Sequence, residues 1–232
     1  RTASSTYLHP PPTPGFRSGI IWIWRPSRSA CGAQSGGQNL GVPPIEMLPC
    51  PDHKTPPHLD MNAMAACGAG SELVQQLPAS ENHHHAHPGG MIDHGLEIVA
   101  YALKIRQTHL LPIGAPPESQ SAQAEAWTAA AAYGALLHDL GKIAVDLRVE
   151  LEDGRAWHPW HGPISRPYRF KYVKGRQYQL HGAASALVYM QVLDSGILDW
   201  LSVYPEAWSA LLYVLSGQYE HAGVLGELVI QA

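Results

Sequence analysis

The chain has 232 residues and a formal net charge of −4 at pH 7, so one or two domains are expected. A mildly acidic chain does not bind nucleic acid through its overall charge, and any such contact has to come from a local basic patch. Three cysteines without a Cys-x-x-Cys pair exclude a disulfide scaffold and a zinc ribbon, and no apolar run is long enough to cross a bilayer.

The N-terminal part of the chain lacks the features of a core-forming segment. Its first 60 residues contain 11 of the 20 prolines and show little periodic apolar spacing. We therefore expect residues 1–71 to be a Pro-rich leader, either disordered or not native, and residues 72–232 to form the domain. Because the chain starts without Met and stops abruptly at Ala232, we expect that domain to be truncated at its C-terminal end. With no signal peptide, a cytoplasmic location is expected.

From residue 72 onward the spacing of apolar residues is mainly that of α-helices. The predicted helices cover residues 72–77, 92–107, 121–139, 181–195, 197–203, 206–219 and 223–231. The stretch 148–179 differs, because it combines an Asp153-Gly154 turn signal with alternating Tyr168, Phe170 and Tyr172. The predicted fold is mainly α, a helical bundle with a small β-hairpin insertion.

The pair His138-Asp139 lies at the end of an Ala-rich predicted helix. Neighbouring helical side chains point about 100° apart, so an apolar helix buries at most one of such a pair unless a cation holds both. Gly141 then allows a turn, and Lys142 places a positive charge about one turn from the carboxylate. A metal ion beside a lysine suits a phosphate ester. The alternative is an ordinary helix end with a Gly cap and a C-terminal Lys.

Other histidines fall on or near predicted helix ends. His94 lies on the apolar helix 92–107, His181 opens the helix 181–195, and His221 ends the helix that begins near Pro205. Each alone is more often a hydrogen-bonded core or capping residue. Together with His138 and Asp139 they fit a divalent-metal cluster in a helical bundle better than coincidence does.

A triple histidine, His83 to His85, precedes Pro88-Gly89-Gly90 and the helix that carries His94. Consecutive histidines are also found in affinity tags, but Ala86 interrupts this run and a turn follows at once. We expect one or two of them, with His84 and His85 as the candidates, to reach the metal centre or a bound phosphate. A structural role is the alternative.

A basic segment lies in the predicted hairpin. Residues 165–177 carry five positive charges and no negative one, interleaved with aromatic rings that include Tyr172. This pattern is typical of a surface that follows a single-stranded backbone and stacks bases. The alternative is a solvated hairpin whose aromatic residues pack on the core. The candidate DNA-binding residues are Arg166, Arg169, Lys171, Tyr172, Lys174 and Arg176.

The histidine and aspartate arrangement resembles the HD-domain metal-dependent phosphohydrolases over roughly residues 80–232. The resemblance implies that His94, His138 and Asp139 match the first ligand positions, with His181 and His221 as the additional histidines of a second metal. Asp139 would bridge the two ions, and Lys142 would contact the substrate phosphate. The closing Asp of the family pattern would fall just beyond Ala232.

Three further segments closely resemble the MobH class of conjugative relaxases, the TraI-like proteins of integrating conjugative elements. They are residues 77–90, 157–163 and 217–221. The resemblance implies metal-dependent cleavage of one DNA strand at a transfer origin, with Asp139 and Lys142 as catalytic residues. It also implies one or two divalent ions (Mn²⁺, Mg²⁺ or Fe) and, as partners, origin DNA and proteins of the conjugation machinery.

The sequence contains no Gly-x-x-x-x-Gly-Lys-Ser/Thr loop, so it does not indicate a nucleotide-driven motor. Two other functions share the same ligands. One is an HD-type nucleotide or cyclic-dinucleotide phosphohydrolase. The other is a non-enzymatic DNA-binding fragment that keeps a metal for structure.

Overall fold

The computed structural model describes residues 57–177 and 179–232, with side chains from residue 65 onward. The described chain is mainly helical with one small sheet, which confirms the predicted fold class. Its helices are α1 (Pro57–Val74), α2 (Gly90–Arg106), α3 (Pro117–Leu137), α4 (Lys142–Val145), α5 (Leu180–Val188), α6 (Ser195–Ser202), α7 (Pro205–Leu215) and α8 (Val224–Gln231). Its strands are β1 (Leu147–Leu151), β2 (Ala156–Trp157) and β3 (Tyr168–Tyr172).

Helix α3 is the centre of the bundle and packs against α1, α2, α7 and α8. It begins at Pro117, whose fixed φ suits the first helical position. Its buried residues are mostly small, and the absence of a side chain at Gly134 lets α7 and α8 approach through Val214 and Val229. Because α3 is buried around most of its circumference, its sequence shows little amphipathic periodicity.

Helix α1 is longer than predicted. The sequence indicated a helix only near residues 72–77, whereas α1 begins at Pro57 and ends at Val74. Ala66, Gly70, Leu73 and Val74 are buried, and this i, i+4, i+7, i+8 spacing gives the helix a core-facing stripe. The rest of the predicted leader, residues 1–56, lies outside the described residues.

The predicted hairpin is part of a three-stranded antiparallel sheet in the order β2-β1-β3. The Asp153-Gly154 turn joins β1 to β2, with Gly154 at a positive φ of 82°. Strand β3 returns after a 3₁₀ turn (Pro159–His161) and pairs with the other edge of β1. The loop between β2 and β3 is too long for a local pattern to predict this second pairing.

The sheet has one apolar face and one charged face. In the register of β1 and β3, Val149 lies opposite Phe170 on the inner face, whereas Arg148 lies opposite Lys171 and Glu150 opposite Arg169 on the outer face. This alternation is typical of an antiparallel sheet with one solvated side. Within the described ranges, no helix has the length and apolar content needed to cross a membrane.

Candidate metal centre

His94, His138 and Asp139 converge where α3 ends. Their ligand atoms all lie within 4.8 Å of one another, an arrangement that no other group of three such side chains reaches in the described part of the chain. The Nε2 atoms of His94 and His138 are each 3.4 Å from Asp139 Oδ2. The three side chains are largely buried, between 9% and 16% exposed. Burial without a partner is costly for a carboxylate, so this cluster requires compensating positive charge.

The position of His138 is set by the end of α3. His138 caps the helix, and its Nδ1 donates to the Ala135 carbonyl oxygen at 2.7 Å. Because a carbonyl oxygen only accepts, Nδ1 carries a proton, and Nε2 is the ring nitrogen that faces Asp139. A metal-ligating histidine needs this tautomer.

His94 lies on the second turn of α2 and faces the end of α3. The adjacent Gly95 faces α3, and a Cβ at that position would lie 3.3 Å from the flexible end of the Leu136 side chain. The two helices therefore approach closely, and the His94 and His138 rings come within 5.3 Å between centroids.

The loop before α2 places two of the three consecutive histidines beside His94. The His84 and His85 ring centroids are 4.9 and 5.4 Å from that of His94. His85 Nε2 also contacts Glu97 Oε2 at 2.7 Å. Partial desolvation and the positive charges of His94 and Lys142 lower the pKa of His84, which favours the neutral form that a metal ligand needs. His83 and His84 are exposed, whereas His85 is half-buried.

Backbone contacts hold this loop against α2. The Ala79 N–H donates to the His85 carbonyl oxygen at 3.1 Å, and the Met91 N–H donates to the Leu77 oxygen at 3.0 Å. A Cβ at Gly90 would lie 2.0 Å from the His85 oxygen, so only glycine allows this approach. Gly90 is thus needed for the loop geometry that places His84 and His85 beside His94.

Lys142 completes the charge balance around Asp139. Its Nζ donates to Asp139 Oδ2 at 2.5 Å and to the Ala79 carbonyl oxygen at 3.3 Å. Burial alone would raise the pKa of Asp139, but contacts with His138 and His94 and the charge of Lys142 outweigh it and hold that pKa far below its ordinary value. Asp139 is therefore ionised at any physiological pH.

His181 faces the other oxygen of the same carboxylate. Its Nε2 is 3.7 Å from Asp139 Oδ1, while its Nδ1 is 3.5 Å from Asp146 Oδ2. Asp139 is therefore flanked by His94 and His138 at Oδ2 and by His181 at Oδ1. Sequence reasoning missed Asp146, although it lies seven residues beyond Asp139 at the end of α4.

The second turn of α5 is locked onto the turn after α3. Ser185 is fully buried, and its Oγ accepts a 2.8 Å hydrogen bond from the Gly141 N–H and lies within 3.2 Å of the His138 and His181 carbonyl oxygens. A Cβ at Gly141 would lie 1.9 Å from the His181 oxygen. Gly141 therefore serves close helix packing, and this contact fixes His181 relative to Asp139.

His221 is placed differently from the prediction. Helix α7 ends at Leu215, since Gly217 adopts a positive φ of 73°, so His221 lies in a separate 3₁₀ turn (Tyr219–His221) and not at the end of the helix. Its side chain is 60% exposed, and its contacts within the described chain are with Glu220 and Tyr213. Its assignment as a metal ligand stays a prediction.

Tyr219 is a second residue that sequence reasoning missed. Its hydroxyl is mostly buried, and burial together with the charge of Asp139 raises the pKa of Tyr219 to about 12. The hydroxyl therefore stays protonated near the metal centre.

The basic residues of the sheet region are mostly paired. Arg166 contacts Asp153, Arg169 contacts Glu150, and Arg176 contacts Glu81 and lies over the Tyr172 ring. Lys171 and Lys174 are exposed, and no ion pair within the described residues includes them. Arg148, which precedes the basic segment, is exposed directly opposite Lys171. Like charges placed opposite one another in a sheet are unfavourable unless an anion lies near them.

The aromatic residues of β3 face inward. Tyr168 is fully buried, whereas Phe170 and Tyr172 pack partly buried against the core. This matches the alternative in which the aromatic residues pack on the helices. DNA contact stays a prediction. The exposed cations of the sheet region that could make this contact are Arg148, Lys171 and Lys174.

The His94, His138 and Asp139 donor set fits a divalent metal. Imidazoles suit Zn, Fe or Ni, and carboxylates suit Mg or Mn, so a mixed set does not select one metal. Ligands that each lie about 2.1 Å from one ion are about 3.0 to 3.4 Å apart. The 3.4 Å separations from Asp139 Oδ2 agree with that spacing.

Residues 57–232 match the family TraI_2, which is described as a putative helicase. The chain belongs to this family. The match begins at the first residue of α1 and includes every helix and strand described above. TraI_2 agrees with the TraI-like part of the resemblance, whereas the HD-domain and MobH assignments stay predictions. No curated protein matches the chain.

Proposed function

We propose that this TraI_2 chain is a conjugative relaxase domain that cleaves one strand of DNA at a transfer origin. The observation that carries the proposal is the cluster of His94, His138 and Asp139 with Lys142 beside it. Membership of the TraI_2 family supports a role in conjugative transfer. The sequence has no nucleotide-binding loop of the Gly-x-x-x-x-Gly-Lys-Ser/Thr type, so we assign strand cleavage and not strand separation to these residues.

His94, His138 and Asp139 Oδ2 would hold one divalent ion, with Mn²⁺, Mg²⁺ or Fe as candidates. Asp139 Oδ1 and His181 would hold a second ion. When bound, such ions polarise phosphoryl oxygens and lower the pKa of water, which is the chemistry that phosphodiester cleavage needs. The Ala135 carbonyl keeps His138 in the required tautomer, and the Ser185 contact keeps α5 in register with the α3 end.

Lys142 would bind the scissile phosphate. Its ammonium donates to Asp139 and to the Ala79 carbonyl oxygen. These two hydrogen bonds fix it at the edge of the metal centre. A fixed ammonium is matched to the negative charge of non-bridging phosphate oxygens. His84 and His85 lie on the His94 side of the centre, where they would bind a metal or the same phosphate.

The outer face of the sheet would guide the strand toward the centre. Arg148 and Lys171 lie side by side on that face, and Lys174 follows in the turn after β3. The Arg176–Glu81 pair connects this turn to the loop that carries His84 and His85. A strand that lies along these cations is thereby directed to the histidine loop, with an affinity that depends on salt.

A second candidate is an HD-type hydrolase of nucleotides or cyclic dinucleotides. The pairing of Arg166, Arg169 and Arg176 with carboxylates favours it, because a small substrate does not need an extended basic surface. It uses the same metal centre, so the two proposals differ in the substrate alone.

A substrate comparison tests the proposal. The 232-residue chain is incubated with Mn²⁺ or Mg²⁺ and a single-stranded origin oligonucleotide, with nucleoside triphosphates, and with a cyclic dinucleotide. We expect cleavage of the oligonucleotide, and its loss in His138→Ala but not in His109→Ala. His109 lies at the opposite end of α2 and contacts the Ile105 oxygen. Turnover of the nucleotides alone would establish the second candidate, and no turnover with no bound metal would refute both.

A further inference from the structure

Asp146 is a buried carboxylate to which the proposed reaction assigns no part. It follows α4 and is only 5% exposed. Its Oδ2 faces His181 Nδ1 at 3.5 Å, and its Oδ1 has no hydrogen-bond partner among the described residues. Burial raises the pKa of Asp146, although the charges of His181, Arg176 and Lys142 act in the opposite direction. A buried carboxylate with an unsatisfied oxygen destabilises the fold and calls for an explanation.

The imidazole of His181 lies between two carboxylates. Nδ1 faces Asp146 Oδ2 at 3.5 Å, and Nε2 faces Asp139 Oδ1 at 3.7 Å. A neutral imidazole has one N–H, so one nitrogen donates and the other presents a lone pair. With the proton on Nδ1, Nε2 and Asp139 Oδ1 face one another at 3.7 Å. This is about 0.3 Å beyond the separation of two ligands of one cation, so a small movement of either side chain would bring both onto one ion.

The surrounding backbone fixes both residues. The Asp146 N–H donates to the Lys142 oxygen at 2.9 Å, and the Asp146 oxygen accepts from the Val173 N–H at 2.9 Å. The Ser185 contact fixes the start of α5, which carries His181. Asp146 is the carboxylate that faces Nδ1 of the imidazole.

We infer that Asp146 is a positioning residue for His181: its carboxylate accepts the Nδ1–H and thereby directs Nε2 toward a second divalent ion that His181 shares with Asp139. The inference rests on the metal centre of the proposed function. A carboxylate that accepts from the outer nitrogen of a metal-ligating histidine fixes the tautomer and increases its basicity, and loss of such a partner typically weakens metal binding about 10- to 100-fold.

The first test is made without metal. Nitrogen-15 NMR of the histidine rings in the metal-free chain reports which nitrogen of His181 carries the proton. We expect the proton on Nδ1 in the wild type and a mixture of tautomers in Asp146→Ala, which removes the acceptor, with Asp199→Ala as an exposed control on α6. A proton on Nε2 in the wild type, or an unchanged tautomer in Asp146→Ala, would overturn the inference even if the protein cleaves DNA.

The second test is a titration with Co²⁺, whose visible absorption reports the ligands. We expect two equivalents in the wild type, and in Asp146→Asn an unchanged first equivalent with the second weakened about 10- to 100-fold. His181→Ala should weaken the same equivalent, and the double variant should lose little more. Equal second-site affinity in Asp146→Asn, or additive losses in the double variant, would contradict the inference. If Asp146→Asn does not fold, Asp146→Ala replaces it, and an unchanged second equivalent with an unchanged tautomer in that variant would again contradict it.

Binding of no metal by the wild type, together with absence of cleavage, would refute the proposed function. The tautomer of His181 in the metal-free protein would still show whether Asp146 accepts the Nδ1–H. Failure of the proposed function and failure of this inference are therefore distinguishable.

Discussion

The metal-centre region and the small sheet both concentrate charged side chains, but they hold them in opposite ways. Around the end of α3, Asp139 is buried and contacts two histidines at one oxygen and a third at the other. In the sheet region, Arg166, Arg169 and Arg176 pair with carboxylates of the β1–β2 turn, of strand β1 and of the loop before α2, respectively.

The difference shows for which charged residues the sequence alone indicates that partners must lie nearby. A buried carboxylate needs partners, so a His-Asp pair on an apolar helix implies that further polar groups converge on it. Surface ion pairs contribute about 0 to 1 kcal/mol each, so their partners are weakly constrained and come from anywhere on the surface. A count of basic residues along the chain therefore overestimates the free positive charge of the folded sheet.

Loss of a ligand at the α3 end should give the largest effect. His138→Ala or Asp139→Asn removes a donor from the cluster, so metal content after dialysis should fall close to zero. Cleavage should fall by at least roughly a hundredfold, more than loss of an outer partner costs. Metal analysis and an oligonucleotide assay measure the two quantities, and far-UV circular dichroism should show a largely unchanged helical content.

The matched control for these variants is His109→Ala, which changes a half-buried histidine at the far end of α2. It should keep its metal and its activity. Full metal retention in both His138→Ala and Asp139→Asn would mean that neither residue is a ligand, and the buried cluster would then be a set of ion pairs like those of the paired arginines near the sheet.

Gly141→Ala should give the next largest effect. The new Cβ would lie 1.9 Å from the His181 oxygen and 2.5 Å from the Ser185 N, both backbone atoms that cannot rotate away. We expect a loss of about 3 kcal/mol in the free energy of unfolding, measured by urea denaturation. Gly68→Ala in α1 is the control, because no atom lies within 4 Å of its Cβ and alanine favours a helix. Equal stability of the two variants would contradict the close packing of α5.

The sequence predicted the parts of the fold and site that depend on local pattern. Helix α3 and the convergence of His94, His138 and Asp139 follow from apolar spacing and from residue types at helix ends. His221 was placed at the end of a helix because its sequence continues the pattern from Pro205, whereas the positive φ of Gly217 separates it from α7.

The parts that sequence reasoning missed depend on long-range packing. Asp146 meets His181 only because α4 has a single turn and α5 returns across it. Arg148 meets Lys171 only because β3 pairs with the free edge of β1 after a long loop. The two residues of each contact come from separate segments of the chain. Local periodicity therefore gives no signal for either contact.

The two sets of basic residues provide a direct comparison on the sheet. Arg148, Lys171 and Lys174 are exposed, whereas Arg166, Arg169 and Arg176 contact carboxylates. Replacing the first set with Ala should weaken binding to a single-stranded oligonucleotide roughly tenfold and reduce the slope of affinity against salt by about 2. Replacing the second set removes the same charge and should change the slope less.

Fluorescence anisotropy at several salt concentrations measures both slopes. Turnover of bis-p-nitrophenyl phosphate should survive in either triple variant, because the metal centre is built from other elements. Equal slopes in the two variants would mean that the sheet attracts DNA by net charge alone, and unchanged affinity in both would favour a small substrate.

The smallest expected effect is a gain in stability from Asp146→Asn in the absence of metal. Burial raises the pKa of Asp146, so its ionised form destabilises the folded protein at neutral pH. Asparagine has the same shape without the charge, and the metal-free variant should be more stable than the wild type by about 1 kcal/mol at pH 7. A raised carboxyl pKa means that the folded state binds the proton more readily, so this advantage should shrink as the pH falls toward the ordinary carboxyl value of 3.8.

Bound metal should reverse the order of stability, so that the wild type is more stable than Asp146→Asn. The wild type binds the second ion more tightly, and a ligand that binds only the folded state stabilises it in proportion to that affinity. Urea denaturation with and without Mn²⁺ measures all four free energies of unfolding. A variant that is less stable than the wild type without metal, and equally less stable with it, would show that Asp146 is an ordinary structural residue. Asp146 would then resemble Glu150 and Asp153 of the sheet region, which pair with arginines as surface ion pairs.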